Sequence, residues 1–160
     1  PPPLWTSQLK QEQEQIDIMS IKQISVFLEN KPGMLHAMTD VLARHEVDMR
    51  AFTLAETSDF GIARVIVDDV HKTSEVLKET GYVHSINDVL CVVIPDEPGG
   101  LNRVLQVLAA AQVNVEYMYV FLGHQGTAYM IFKVTDIAAA TAALSDKGIK
   151  TVDQEDLEKL

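Results

Sequence analysis

The sequence predicts an α+β chain made of two βαββαβ units, and three observations carry that prediction. A Pro-Gly loop occurs twice, the hydrophobic period switches between 2 and 3.6 in the same order in both halves, and 160 residues suit two small units rather than one large one. The loops read "ENKPGML" at 29–35 and "PDEPGGL" at 95–101, 66 residues apart. A single copy of about 70 residues would have a marginal core, so the two copies are expected to share stability.

In the first copy, "KQISVFL" from Lys22 is apolar and β-branched enough for a buried strand, and the turn-forming "ENKPG" stops it. Leu35, Met38, Val41, Leu42 and His45 then recur at helical spacing, which predicts a helix over 34–45 with one face inward. "VDMRAFTLAE" and "FGIARVIV" read as strands joined across "TSD" in a hairpin. A helix over about 70–80 turns Val70, Ser74 and Leu77 inward and closes at Gly81. "YVHSIND" is the last strand.

The second copy repeats this order: strand "VLCVVI", turn "PDEPG", and a helix over 100–111 with Leu101, Val104, Leu105 and Leu108 inward. Strands "NVEYMYVFL" and "TAYMIFKV", a helix over 136–147 ending at Gly148, and strand "IKTVD" complete it. Each copy is therefore a ferredoxin-like unit, an antiparallel sheet with both helices on one face, and the expected domains are 19–88 and 89–160. Edge-to-edge joining is the expected arrangement, since each unit would then remove the other's exposed strand.

Charge narrows the partners. With 23 Asp and Glu against 13 Lys and Arg, the formal charge of -10 repels phosphate backbones and anionic headgroups, so neither nucleic acid nor a membrane surface is expected. Cys91 is the single cysteine, and no CxxC or Cys/His cluster offers metal-ligand spacing, so no metal and no cofactor are expected. No run approaches the roughly 20 apolar residues that span a bilayer, and a reducing, cytoplasmic setting is expected. Residues 1–18, a Pro triplet and a Gln/Glu-rich tract, are expected to be a flexible extension or tag, with Met19 a natural start before the first strand.

The chemistry lies in the Pro-Gly loops. The first N–H groups of a helix lack intrahelical partners and carry the positive end of its dipole, so an anion is welcome there. Gly33, and Gly99 with Gly100, strip side chains from the approach, while Pro32 and Pro98 stiffen it. Pro-Gly before a helix is also an ordinary way to turn a chain. What adds a ligand reading is that Asn30 and Asp96 place a polar oxygen at matching rims, able to accept from an ammonium. Eighteen residues beyond each, at the start of the following strand, stand Asp48 and Asn114.

"ENKPGML…VDM" and "DEPGGL…VNVEYM" resemble ACT domains, small regulatory modules of metabolic enzymes that bind amino acids. The tandem pattern over 22–160 is similar to stand-alone double-ACT proteins that carry no catalytic domain. The resemblance implies an allosteric sensor of a free amino acid, bound at the boundary between ACT units, within one chain or in a homodimer. It implicates Asn30, Gly33, Met34 and Leu35 of the first loop, Asp96, Gly99, Gly100 and Leu101 of the second, and Asp48 and Asn114 as groups from the neighbouring unit. If the loops cross, Asn30 meets Asn114 and Asp96 meets Asp48. Neutral amides serve both ends of a zwitterion, whereas paired carboxylates repel, so the Asn30 loop is expected to be the better site and the Asp96 loop to be weaker or to prefer a ligand with a second amine.

Two other functions stay open: a regulatory subunit docking on a separate amino-acid-metabolism enzyme such as an acetolactate synthase, and an enzyme whose site is not recognised. Against the last, no HExxH, GxSxG or Cys-His arrangement is present. Other βαββαβ proteins carry metals, cleave acyl phosphates or read RNA, but these need a CxxC, a basic Gly-rich loop or paired aromatics on a basic sheet. His36, His45, His71, His84 and His124 are scattered over different elements and read as ordinary histidines, with His36 able to rim the first loop. In "EYMYVF", Tyr117 and Tyr119 share one side and Met118 and Val120 the other, which reads as core or dimer contact, or as a lining for a ligand side chain.

Overall fold

The computed structural model describes residues 1–122 and 126–159, so His124 falls outside the described residues. The chain divides into two units, one of residues 22–87 and one of residues 1–21 with 88–160.

In the unit of residues 22–87, β1 (Ile21–Glu29) pairs antiparallel with β3 (Phe60–Val67), and β3 pairs with β2 (Met49–Glu56). On its other side β1 meets the start of β4 (His84–Pro95): the Phe27 N–H donates to Val83 O at 3.0 Å, and Ser25 Oγ donates to Asn87 Oδ1 at 2.6 Å. Alternate residues Ile24, Val26 and Leu28 meet Ala63, Val65 and Val67 in one core. Over them lie α2 (Met34–Arg44), through Met38 and Leu42, and α3 (Val70–Glu79), through Leu77. The inward face of α3 is built from Thr73, Val76 and Leu77, turned from the predicted Ser74, which instead hydrogen-bonds His84 Nε2 at 2.8 Å. His45 is exposed and binds the Val41 carbonyl through Nδ1 rather than entering the core.

The other unit repeats the plan. Its sheet runs β7 (Lys150–Val152), β4, β6 (Thr127–Val134), β5 (Val115–Leu122), antiparallel throughout. Leu90, Val92, Ile94, Met130, Phe132 and Val134 form its floor, covered by Val104 and Leu108 of α4 (Gly100–Ala110) and by Ile137, Ala140 and Leu144 of α5 (Ile137–Asp146). A short α6 (Gln154–Glu158), not foreseen, buries Leu157.

The duplication extends to backbone details. Glu46 and Gln112, at φ 55° and 57°, both take the left-handed conformation that closes α2 and α4, and each following N–H, of Val47 and Val113, donates back to Leu42 O and Leu108 O at 3.0 Å. Both second strands carry an irregularity just after their first residue, at Met49/Ala51 and Val115/Tyr117.

Two further expectations change. Residues expected as a flexible extension contain α1 (Leu4–Met19), 16 residues long, because Gln, Glu, Leu and Lys are strong helix formers and Ile16 and Met19 pack against the core of their unit. The expected strands 82–88 and 89–94 are one strand, β4, since no Gly or Pro interrupts His84–Ile94.

Candidate functional site

The two helices that recur in each βαββαβ unit begin in different ways. Asp69 caps α3, its carboxylate accepting from the Lys72 N–H at 3.0 Å, and Asp136 caps α5, accepting from the Ala139 N–H at 2.9 Å. By contrast α2 and α4 begin after Gly33 and Gly99, at φ 84° and 86°, with no side-chain cap. A residue with a side chain is strained at that φ, and nothing lies within 4 Å of a Cβ built on either glycine, so the approach is open.

Around each glycine some amides are taken and others are not. Asn30 N–H donates to Asp59 O at 2.9 Å and Asp96 N–H to Gly126 O at 2.7 Å, which ties each loop to its own sheet. Met34 and Gly100 close turns onto Lys31 O and Glu97 O at 3.3 and 3.2 Å. Among the described residues, the N–H groups of Gly33, Leu35 and His36, and of Gly99, Leu101 and Asn102, have no protein acceptor. Three unsatisfied donors at the positive end of a helix dipole are able to receive a carboxylate.

The two loops differ in the space beside them. The second borders a cleft of about 420 Å³ lined by Ile94, Pro95, Asp96, Glu97, Gly99, Leu101, Asn102, Leu105, Val120, Ala128 and Met130. The first borders one of about 130 Å³, lined by Leu28, Glu29, Asn30, Lys31, Leu35, Leu54, Glu56 and Gly61. Small-molecule sites generally occupy about 300–1,000 Å³, and of these two clefts the second falls within that range. Side chains at matching positions explain the difference. Leu54 reaches to 3.3 Å from the Cβ position of Gly61, whereas its counterpart Val120 is one carbon shorter. Lys31 Nζ also bonds Glu29 Oε2 at 2.6 Å across the rim of the smaller cleft; that hydrogen bond, with the Glu29 charge, holds the ammonium pKa above its ordinary value.

Gly100 is needed for a separate reason. It is buried, and a Cβ there would meet Ile94 Cδ1 at 2.9 Å and Pro95 O at 3.0 Å, so α4 starts hard against β4. Its counterpart Met34 is half-exposed. Of the rim residues, Asn30 donates its amide to Thr57 O at 3.3 Å, leaving its carbonyl oxygen available, while the Asp96 carboxylate has no partner among the described residues. Glu97 holds Arg103 at 3.4 Å.

Asp48 and Asn114 sit elsewhere. Each lies just before its second strand, at the sheet end away from its own loop: the Asp48 N–H bonds Asp68 Oδ1 at 3.1 Å and the Asn114 N–H bonds Thr135 Oγ1 at 3.2 Å. The Asp48 carboxylate faces Arg50 Nε at 3.5 Å. Neither residue lines either cleft, and His36 lines neither. Residues of the larger cleft not named as site residues from sequence include Asn102, Leu105 and Met130; the Leu101/Leu105 spacing and the shared face of Met118 and Val120 were the available signals.

No group of three or more His, Cys, Asp or Glu among the described residues is placed to hold a metal ion, and no helix among them is long and apolar enough to cross a membrane. Cys91 is buried in β4, and burial pushes its thiol pKa up to about 12, which leaves it a poor nucleophile at neutral pH.

Two antiparallel βαββαβ units with bare Pro-Gly helix starts define a tandem ferredoxin-like protein. The family model described as the ACT domain pair matches residues 19–160, and the chain belongs to that family. Among solved structures it is similar to protein BT0572 from Bacteroides thetaiotaomicron, with 37% identity, a TM-score of 0.85, and coverage of 90% of this chain and 99% of that one. It shares its fold with the regulatory subunit of aspartate kinase from Thermus thermophilus, at 17% identity and TM-score 0.60, covering 82% of this chain and 94% of that one. The corresponding subunit from Thermus flavus gives 17% identity, TM-score 0.57, and coverage of 81% and 93%. No curated protein sequence matches the chain.

Proposed function

We propose that this protein is a non-catalytic regulatory module that binds a free α-amino acid, whose carboxylate is received by the uncapped amides of a Pro-Gly loop. The observation that carries this is the contrast inside each unit: the chain supplies an Asp cap to α3 and α5 and leaves α2 and α4 bare. A glycine at the helix start in place of a capping side chain forgoes only a few tenths of a kcal/mol, and it leaves the amides free for a ligand carboxylate. Ligand binding would order the loop and so shift the module between states with different affinity for a partner.

The test is a thermal-shift screen of the twenty amino acids on the purified chain. A ligand at 100 times its Kd adds about 2.7 kcal/mol, which for a chain of this size raises Tm by roughly 5–11 °C. No shift with any amino acid would remove this function.

A second reading, docking on another chain, draws on a different observation. Phe27, Phe60, Val83 and Ile86, all in the unit of residues 22–87, are exposed, and an apolar group of that kind suits a protein partner. A homodimer or a complex with a separate metabolic enzyme would cover them. Light scattering that gives a monomer with and without amino acid, together with a failure to retain any enzyme partner, would oppose it.

A further inference from the structure

Resting on that amino-acid reading, we infer that each chain holds one working site, the cleft beside Asp96, and that it selects an amino acid with an apolar side chain of about the size of leucine or phenylalanine. The sequence alone favours the other loop, from the expected pairing of Asn30 with Asn114. Space reverses that order. The Asp96 cleft measures about 420 Å³ against about 130 Å³ beside Asn30, and only the first falls within the range of about 300–1,000 Å³ that small-molecule sites fill.

The lining then sorts the candidates. The carboxylate end has the N–H groups of Gly99, Leu101 and Asn102, which have no protein acceptor among the described residues. The ammonium end has Asp96, whose carboxylate is likewise without a partner among them. Away from this rim the walls are Ile94, Leu101, Leu105, Val120, Ala128 and Met130. A side chain that follows these walls leaves water for an aliphatic surface, which favours it in proportion to its apolar area.

Charged side chains fare worse for separate reasons. The lining contains no Lys or Arg, and the nearby Arg103 is held by Glu97, so a second carboxylate would face Asp96 and Glu97 with no counter-charge. With Asp96 taken by the α-ammonium, a second ammonium would find only Glu97, which already holds Arg103 at 3.4 Å, and along the apolar walls it would lose its hydration. Glycine and alanine reach the rim but leave the walls uncovered.

Isothermal calorimetry tests this on the full chain with glycine, leucine, phenylalanine, lysine and aspartate. The expected result is one leucine or phenylalanine per chain, each bound at least roughly tenfold tighter than glycine, and lysine and aspartate weaker still. Val120→Leu, which copies Leu54 and adds one methylene to the wall, should weaken leucine roughly tenfold while affecting glycine less. Asp96→Asn, which keeps the shape and removes the charge, should weaken every bound amino acid alike. Two ligands per chain, tighter binding of lysine or aspartate than of leucine, or unchanged leucine affinity in Val120→Leu would each overturn this inference while leaving amino-acid binding intact. Absence of heat from all five, together with no thermal shift from any of the twenty amino acids, would overturn the amino-acid reading itself, and this inference with it.

Discussion

Replacing Gly100 by Ala probes how α4 is held against β4. The new Cβ would lie 2.9 Å from Ile94 Cδ1 and 3.0 Å from Pro95 O, where carbon contacts relax at about 3.5–4.0 Å. The Ile94 methyl could rotate, but Ile94 is only 7% exposed and its neighbours in the core leave little room. The Pro95 oxygen is backbone and can move only with the strand. The first turn of α4 must therefore back away by several tenths of an ångström, at a cost typical of overpacking, about 1–3 kcal/mol. For a chain of this length that lowers Tm by about 2–12 °C. The same displacement carries the amides of Leu101 and Asn102 off their line, so amino-acid affinity falls as well. Gly99→Asn is the control: nothing lies within 4 Å of a Cβ there, and Asn tolerates the left-handed φ of 86° better than other side chains. Differential scanning calorimetry on the two variants makes the comparison. Equal melting temperatures for Gly100→Ala and the parent, or a larger loss in Gly99→Asn, would refute the close-packing argument.

Further outcomes follow from the same geometry. Asp136→Ala removes the 2.9 Å bond to the Ala139 N–H and should cost about 1 kcal/mol, or about 2–4 °C in Tm, with no change in amino-acid affinity, because α5 is not a ligand helix. Cys91 should resist a thiol reagent at neutral pH in the folded chain and react readily once urea unfolds it. Its folded pKa of about 12 lies above the ordinary 9.0, so the unfolded chain releases this proton first, and stability falls as pH rises from about 9 towards 12. Cys91→Val should make that alkaline decline shallower in a series of urea melts.

The repeated loop, the switch of hydrophobic period and the Gly81 and Gly148 stops made the fold legible, because each is a local preference that agrees with the packing around it. Ile24, Val26 and Leu28 alternate into one core just as Leu90, Val92 and Ile94 do. The N-terminal helix was not legible, since its Gln/Glu composition suits both a helix and a loose tail, and the contacts of Ile16 and Met19 are tertiary. The place of Asp48 and Asn114 relative to their own loops follows from helix length. An 11-residue helix carries the chain about 16 Å, and so to the sheet end away from the loop. Cleft size escaped the sequence because it turns on Leu54 against Val120 and on Gly61 against Ala128, differences of a carbon or two whose direction only the register reveals.

The most direct test of the loop as a carboxylate site is an amide NMR titration of the ¹⁵N-labelled chain with leucine. The amides of Gly99, Leu101 and Asn102 should shift downfield as they gain an acceptor, while the capped amides of Lys72 and Ala139 stay in place. Saturable leucine binding that leaves Gly99, Leu101 and Asn102 unmoved would contradict the account.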